Sequence, residues 1–403
     1  MTDPLVPRRD AVVWTGCFVC VAWLLVILRF ASTDGDSALY AGLADRLSQE
    51  PVARWVAPEW WGLWPEAEMT GYFREHPAGA LWMPAALARL GVPGHQAAYI
   101  VGIGAGLAAL LLAGALARRV TTTDRARQAL VLLQLMPLAF LFRIRANHEY
   151  LMLVSLLVVL YGLERTRQSW WTIALVAGGM ASALLVKGIF VSLVMAGAAL
   201  WVAIDPSGLR ASRRGVVAVI AGVAVTALVG IGYELWFRAV TGGPYWVPYL
   251  ERQLGQVEVS SPVGGGGVGT LVGHIFFYVN RMMWHAAPWS FAIIAMLWTA
   301  RGAWRSSWRA LPEGERRGLL FALTYGALLV VMLSPSSRVA ERYIFSGTYV
   351  VATAGAIVAL RAWPDMAAWL ARLDRRVPAL PAFLWLILMI GRLALGPWLP
   401  RIG

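Results

Sequence analysis

The chain has 403 residues, 59% of them hydrophobic and 14% charged, and a net charge of +13. A soluble domain carries about a quarter charged residues, which excludes an ordinary water-soluble globular protein. Nor is the positive charge a nucleic-acid face, because the arginines stand in short breaks between apolar runs, as in the cytoplasmic loops of membrane proteins.

Pro7-Arg8-Arg9-Asp10 precedes the first apolar run, Ala11–Phe30. That run is too long for a signal-peptide core and has no convincing small-residue cleavage site, so an uncleaved first helix is expected. Cys17 and Cys20 lie inside it and, without a second pair, read as two small core residues. Further runs such as Ala97–Ala117 and Gly215–Leu235 match the ~20 apolar residues that cross a bilayer as a helix. The fold class is therefore all-α and polytopic. About eleven crossings are expected, at 11–30, 96–117, 127–143, 149–163, 171–186, 189–204, 215–237, 286–300, 317–333, 345–361 and 380–398. With the N-terminus in the cytoplasm, the cytoplasmic breaks contain Arg118, Arg119, Arg125 and Arg127, then Arg165 and Arg167, then Arg210, Arg213 and Arg214. The later ones are Arg301–Arg317 and Arg361–Arg376, so every one is basic. Ala78–Val92, about 15 residues, is short for a crossing and is expected to be interfacial or re-entrant.

On this topology 1–403 is a single transmembrane domain with no C-terminal soluble domain and two long extracytoplasmic loops, 31–96 and 240–284. In the first, Leu39, Tyr40, Leu43, Ala44 and Leu47 after Asp36 predict a one-sided helix lying in the interface. Trp55, Trp60, Trp61 and Trp64 then read as rings at headgroup depth. In the second, Gly264–Gly267 is a flexible tract without the Gly-Lys-Ser/Thr of a phosphate loop.

Sorting polar residues by side points to a site. The histidines His76, His95, His148, His274 and His285 all fall on the outer side, as do the acids Asp34, Asp36, Glu75 and Glu149. Lys187, the only lysine in the chain, sits at the outer turn between two crossings. Ionisable groups at the edge of apolar runs are costly and mark function.

These residues also lie in motifs. Asp34-Gly35-Asp36-Ser37-Ala38-Leu39-Tyr40-Ala41 resembles the start of the type C (GT-C) membrane glycosyltransferases. The branch is that of the dolichyl-phosphate-mannose protein mannosyltransferases and the bacterial lipid A aminoarabinose transferases. Tyr72-Phe73-Arg74-Glu75-His76-Pro77, Arg143–Glu149, Leu185-Val186-Lys187-Gly188, Pro288-Trp289-Ser290 and Ser334–Tyr343 are similar to that branch's later elements, in order. The second proline after Glu75-His76 is Ala78 here, and Glu149 stands where Asp is commoner.

The resemblance implies transfer of a sugar from a polyprenyl-phosphate donor to a lipid, glycan or protein acceptor on the outer side of the cytoplasmic membrane. It implies Asp36 as general base, with Asp34 as the fallback, since a base must stand within hydrogen-bond reach of the nucleophile. Read alone, Asp36 is better explained as a helix N-cap, and it is the neighbouring motifs that favour catalysis. Lys187, Arg143, Arg145, Arg338, Arg342 and Tyr343 are the candidates for the donor phosphate, against snorkelling to headgroups for the arginines and an interfacial belt for Tyr343. Glu75, His76, His148 and Glu149 are candidates for sugar or acceptor, or for a divalent zinc or manganese ion, which the resemblance leaves open. His285 reads as a polar interface residue, and Glu234 is placed to pair with Arg238 at i+4. The rival class is a transporter or flippase of lipid-linked sugars; its internal repeats and mid-depth charges are not found here.

Overall fold

In a computed structural model the chain is described over residues 35–60, 71–134, 136, 145–165, 169–205, 213–258, 268–299, 301–302, 304–336 and 339–376. Asp34, Arg143, Arg338, Trp61, Trp64, the Gly264–Gly267 tract and the expected crossings 11–30 and 380–398 lie outside these residues. The described residues are helical, with an isolated bridge between Glu59 and Tyr72 in place of any strand. In chain order the helices are α1 (Gly35–Gln49), α2 (Gly79–Arg89), α3 (Gly94–Val120), α4 (Thr123–Gln134), α5 (Glu149–Arg165), α6 (Thr172–Lys187), α7 (Val191–Ala203) and α8 (Arg213–Thr241). They continue as α9 (Trp246–Glu258), α10 (Val268–His285), α11 (Trp289–Thr299), α12 (Trp304–Ala310), α13 (Glu313–Leu333), α14 (Phe345–Ala362) and α15 (Pro364–Arg376).

Among the described residues five helical stretches are long and apolar enough to cross a membrane: Gln96–Val120, Thr172–Ala203, Arg213–Thr241, Glu313–Leu333 and Glu341–Ala362. The second is a hairpin. Lys187 meets Glu149 at one end of α5, whereas Trp201 meets Glu164 near the other, so the chain reverses at Gly188 and α7 runs back beside α6. Close approach of α5 and α6 depends on small residues. A Cβ at Gly179 would lie 2.7 Å from Val159, and one at Gly162 would lie 2.9 Å from Val176. Helices in hydrocarbon gain by van der Waals packing, and glycine lets their backbones approach.

Helix α8 shows which face meets lipid. Gly215, Ala218, Gly222, Thr226, Tyr233 and Phe237 are buried at helical spacing, while Ile220, Leu228, Ile231 and Leu235 are exposed. An exposed stripe of Leu and Ile on a long helix suits hydrocarbon rather than water.

The described helices bear out the all-α class, give five candidate crossings where about eleven are expected along the whole chain, and alter two parts of the sequence reading. Helix α2 falls inside Ala78–Val92 and, at 11 residues, is about 16 Å long, too short to span. The second long loop holds helices α9 and α10, whose polar residues dilute the apolar signal. Trp55 and Trp60 are not a headgroup belt: they are buried with Tyr40, Leu43, Leu47, Phe73 and Leu81 in a small core of their own. The same one-sided stripe that predicts α1 is what covers those rings.

The bundle has two chemically different ends. Glu149, Lys187 and Glu341 gather at one. At the other, Glu315 meets Thr121, Arg125 and Arg361, and Glu164 meets Arg317.

Candidate active site

Two chain reversals build the first end. At the first, Gly188 has φ +56°, in the left-handed region that a residue with a Cβ avoids. The turn leaves Lys187 facing the first residue of α5. Its Nζ donates to both carboxylate oxygens of Glu149, at 3.0 and 2.8 Å. Both residues are buried, at 4% and 3% exposure. At that depth either charge alone is several kcal/mol unfavourable, so each side chain depends on the other. The rings of Phe190 and Tyr343 lie 5.0 and 5.2 Å from the same ammonium, within cation–π range.

The second reversal is the short 3-10 turn Glu341–Ile344 between α13 and α14. It brings Arg342 and Tyr343 to a small cavity whose walls include Glu149, Lys187, Phe190 and Tyr325. Arg342 forms an ion pair with Asp36, in the first turn of α1, and both side chains are about one-third exposed. A carboxylate in a first turn is favoured by the helix dipole. The turn is fixed from behind by Glu341, whose Oε2 lies 2.9 Å from His285 Nε2 and 3.8 Å from Arg281 Nη1. Arg145 is close enough to add to the field at Glu341.

The turn ahead of α5 is tied to α1, since Ala146 N–H donates to Ser37 Oγ at 3.0 Å. His148, in that turn, packs its ring 4.1 Å from Tyr40 and 5.1 Å from His76. Burial first, and then the Lys187 ammonium, lower its pKa to about 3, so the imidazole stays neutral at physiological pH.

The sequence candidates thus separate into groups. Glu149, Lys187, Arg342 and Tyr343 surround one cavity and Asp36 pairs with its Arg342; beside it His148 packs on Tyr40 and meets the edge of His76. Glu75 instead turns to α9, where it pairs with Arg252 and its carbonyl accepts from Gln253 Nε2 at 3.2 Å. Among the described residues no three His, Cys, Asp or Glu side chains gather to hold a metal ion. The set Glu75, His76, His148 and Glu149 does not fit a zinc or manganese centre here, because Lys187 and Arg252 occupy its two carboxylates.

Three neighbours of the site have contacts that the sequence did not disclose in full. His285 anchors the Arg342 turn rather than standing at the interface; its only signal was the adjacent Pro288-Trp289-Ser290. Glu234 does pair with Arg238, and its second oxygen also accepts the Tyr245 and Trp246 N–H groups, both at 3.0 Å, capping α9. Tyr249 buries its ring against the Gly188 turn, where an aromatic run read as loop gave no hint of it.

Comparison with known proteins bears on the fold. The family model for dolichyl-phosphate-mannose-protein mannosyltransferase matches residues 75–233, which holds His76, His148, Glu149 and Lys187. ArnT from Cupriavidus metallidurans, solved bound to undecaprenyl phosphate, superposes with a TM-score of 0.66 over 97% of this chain and 72% of that one, at 16% identity. This is the fold of the type C membrane glycosyltransferases. The Archaeoglobus fulgidus oligosaccharyltransferase complex with zinc and sulfate has a TM-score of 0.54 at 15% identity, covering 92% of this chain and 53% of that one. The AglB oligosaccharyltransferase of the same organism, with an inhibitory peptide and a dolichol-phosphate, gives 0.54 at 10% identity over 95% of this chain and 56% of that one. No curated protein sequence matches the chain.

Proposed function

We propose that this chain is a glycosyltransferase of the cytoplasmic membrane that moves a hexose or pentose from a polyprenyl-phosphate carrier to a lipid, glycan or protein acceptor on the extracytoplasmic side. The observation that carries this reading is the cavity itself. A lone buried lysine and an arginine stand at one bundle end, the arginine paired with Asp36, on a fold whose relative ArnT was solved with undecaprenyl phosphate.

In this reading the carrier phosphate displaces the Asp36 carboxylate from Arg342 and is held by Arg342 and Lys187, with Arg145 nearby and Arg143 and Arg338 as the further arginines of the motif. Two parallel hydrogen bonds from a guanidinium suit a phosphate leaving group. The released Asp36 accepts a proton from the acceptor hydroxyl or amine. The acceptor atom bonds to the anomeric carbon as the carbon–oxygen bond to phosphate breaks, and that electron pair leaves on the phosphate oxygen. A single displacement of this kind inverts the anomeric centre. Tyr343 packs over the Lys187 ammonium, His76 lies on the sugar or acceptor side, Glu75 reaches that side through its pair with Arg252 on α9, and Asp34 is the alternative base.

Radiolabelled polyprenyl-phosphate sugars presented to the purified chain in liposomes test this. One donor is consumed by the wild type and not by Asp36→Asn. Equal turnover by both removes Asp36 as the base. Movement of labelled lipid across the bilayer without consumption replaces the enzyme with a flippase.

A further inference from the structure

Helix α9 is tightly seated at the cavity end. Glu234 caps its first turn, and Trp246 Nε1 donates to the Gly230 carbonyl at 2.8 Å. One turn on, Tyr249 is fully buried beside Gly188, where a Cβ would stand 2.1 Å from the tyrosine oxygen. Its hydroxyl accepts from Ile189 N–H at 2.9 Å and donates to the Lys187 carbonyl at 3.4 Å, so it holds both sides of the reversal. Burial pushes this phenol above its usual pKa, which keeps it a donor. Three residues further, on the same helix face, Arg252 pairs with Glu75.

We propose that Tyr249 is a positioning residue for the donor phosphate: by fixing the Lys187–Gly188–Ile189 reversal, its hydroxyl sets where the Lys187 ammonium stands in the cavity. Tyr249 is absent from the cavity wall, so it acts through the backbone of the turn and not by contact with the ligand. Glycine at 188 serves two ends at once, the left-handed backbone and the space the tyrosine oxygen needs. Arg252 and Gln253 hold the far end of α9 against Glu75, so the helix spans from the phosphate side of the site to the first-loop acid. The inference rests on the reading of Lys187 as a phosphate ligand.

The test compares binding of a polyprenyl phosphate with that of the polyprenol of equal length, using the full chain in nanodiscs. Tyr249→Phe keeps the ring and removes the oxygen. It is expected to lower the phosphate-over-alcohol preference about three- to ten-fold, the range for a lost hydrogen bond, leaving polyprenol affinity and the thermal midpoint in place. In a Lys187→Met/Glu149→Gln background the same change is expected to have no further effect, as for two residues acting through one contact. An unchanged preference in Tyr249→Phe overturns the assignment, as does an equal loss in the background without Lys187. A wild type that does not distinguish phosphate from alcohol sinks the phosphate reading, and the assignment with it. Should Tyr249→Phe not fold, Arg252→Gln, whose side chain is 39% exposed, loosens α9 from its other end. A fall of about two- to five-fold in the same preference is then expected, and no change overturns the proposal.

Discussion

At the bundle end away from the cavity, the buried Glu315 accepts from Thr121 at 2.6 Å, Arg125 at 2.5 Å and Arg361 at 2.5 and 3.0 Å, gathering four helices. Glu164 beside it takes Arg317 at 2.6 Å and Trp201 Nε1 at 2.9 Å. At the cavity end Glu149 pairs with Lys187, Asp36 with Arg342 and Glu75 with Arg252, while Glu341 behind the turn takes both His285 and Arg281. A carboxylate saturated by several donors from different helices fastens them, because no single exchange releases it. A carboxylate with one cation at a cavity is exchangeable, since an incoming phosphate takes the cation and leaves the acid free. Buried ion pairs are weak evidence for stability by themselves, so the two ends are expected to fail in different ways when broken.

The largest contrast concerns Asp36. Asp36→Asn is expected to lower sugar transfer about 10²- to 10⁴-fold, the usual worth of a general base, with the thermal midpoint unchanged. A variant that loses midpoint and activity in proportion would make Asp36 a fastener like Glu315.

Lys187→Met sharpens the comparison from within the cavity. It leaves Glu149 charged and alone at 3% exposure and is expected to cost about 3–5 kcal/mol of stability. Adding Glu149→Gln removes the stranded charge, and the midpoint should return while donor binding does not. Recovery of both would mean that the pair is structural. Glu315→Ala is the smaller counterpart. Because Arg125 and Arg361 keep 23% and 34% side-chain exposure, about 2–3 kcal/mol is expected, read as a lower midpoint with transfer per folded molecule unaltered.

That asymmetry also decides what the sequence could disclose. The helical class, the Gly188 turn and the gathering of Asp36, Glu149 and Lys187 at one end were legible, because apolar runs have a length and charges collect at their breaks. The partners were not legible. Arg342 finding Asp36 crosses some 300 positions and depends on how α1 lies against the α13–α14 turn, which no local pattern encodes. Trp55 and Trp60 look interfacial by composition and are covered by a helix whose burial needs tertiary contact. The aromatic run from Tyr245 to Tyr249 lacks a clean apolar period, so its helix and the grip of Tyr249 on the lysine turn were read as loop. The metal question turned on the same thing: the residue types suit zinc, and the Lys187 and Arg252 cations that pair with two of those carboxylates lie far away in sequence.

The smallest effect expected is also confined to one end. His148 lies at the cavity end, against Tyr40 and His76 and away from the Glu315 and Glu164 clusters. His148 is held neutral, its pKa lowered from 6.5 to about 3. Between those values the unfolded chain binds a proton that the folded chain does not, so stability falls as pH drops through 6.5 towards 3 and is retained above 6.5. His148→Phe keeps a ring against Tyr40 and His76 and removes that proton uptake. Its thermal midpoint should therefore decline less than the wild type between about pH 6.5 and pH 4, while Glu315→Ala shifts the whole curve without changing its slope there. Equal slopes in wild type and His148→Phe would mean that the imidazole is protonated in the fold, and the Lys187 ammonium would then face a second cation that its single carboxylate partner cannot balance.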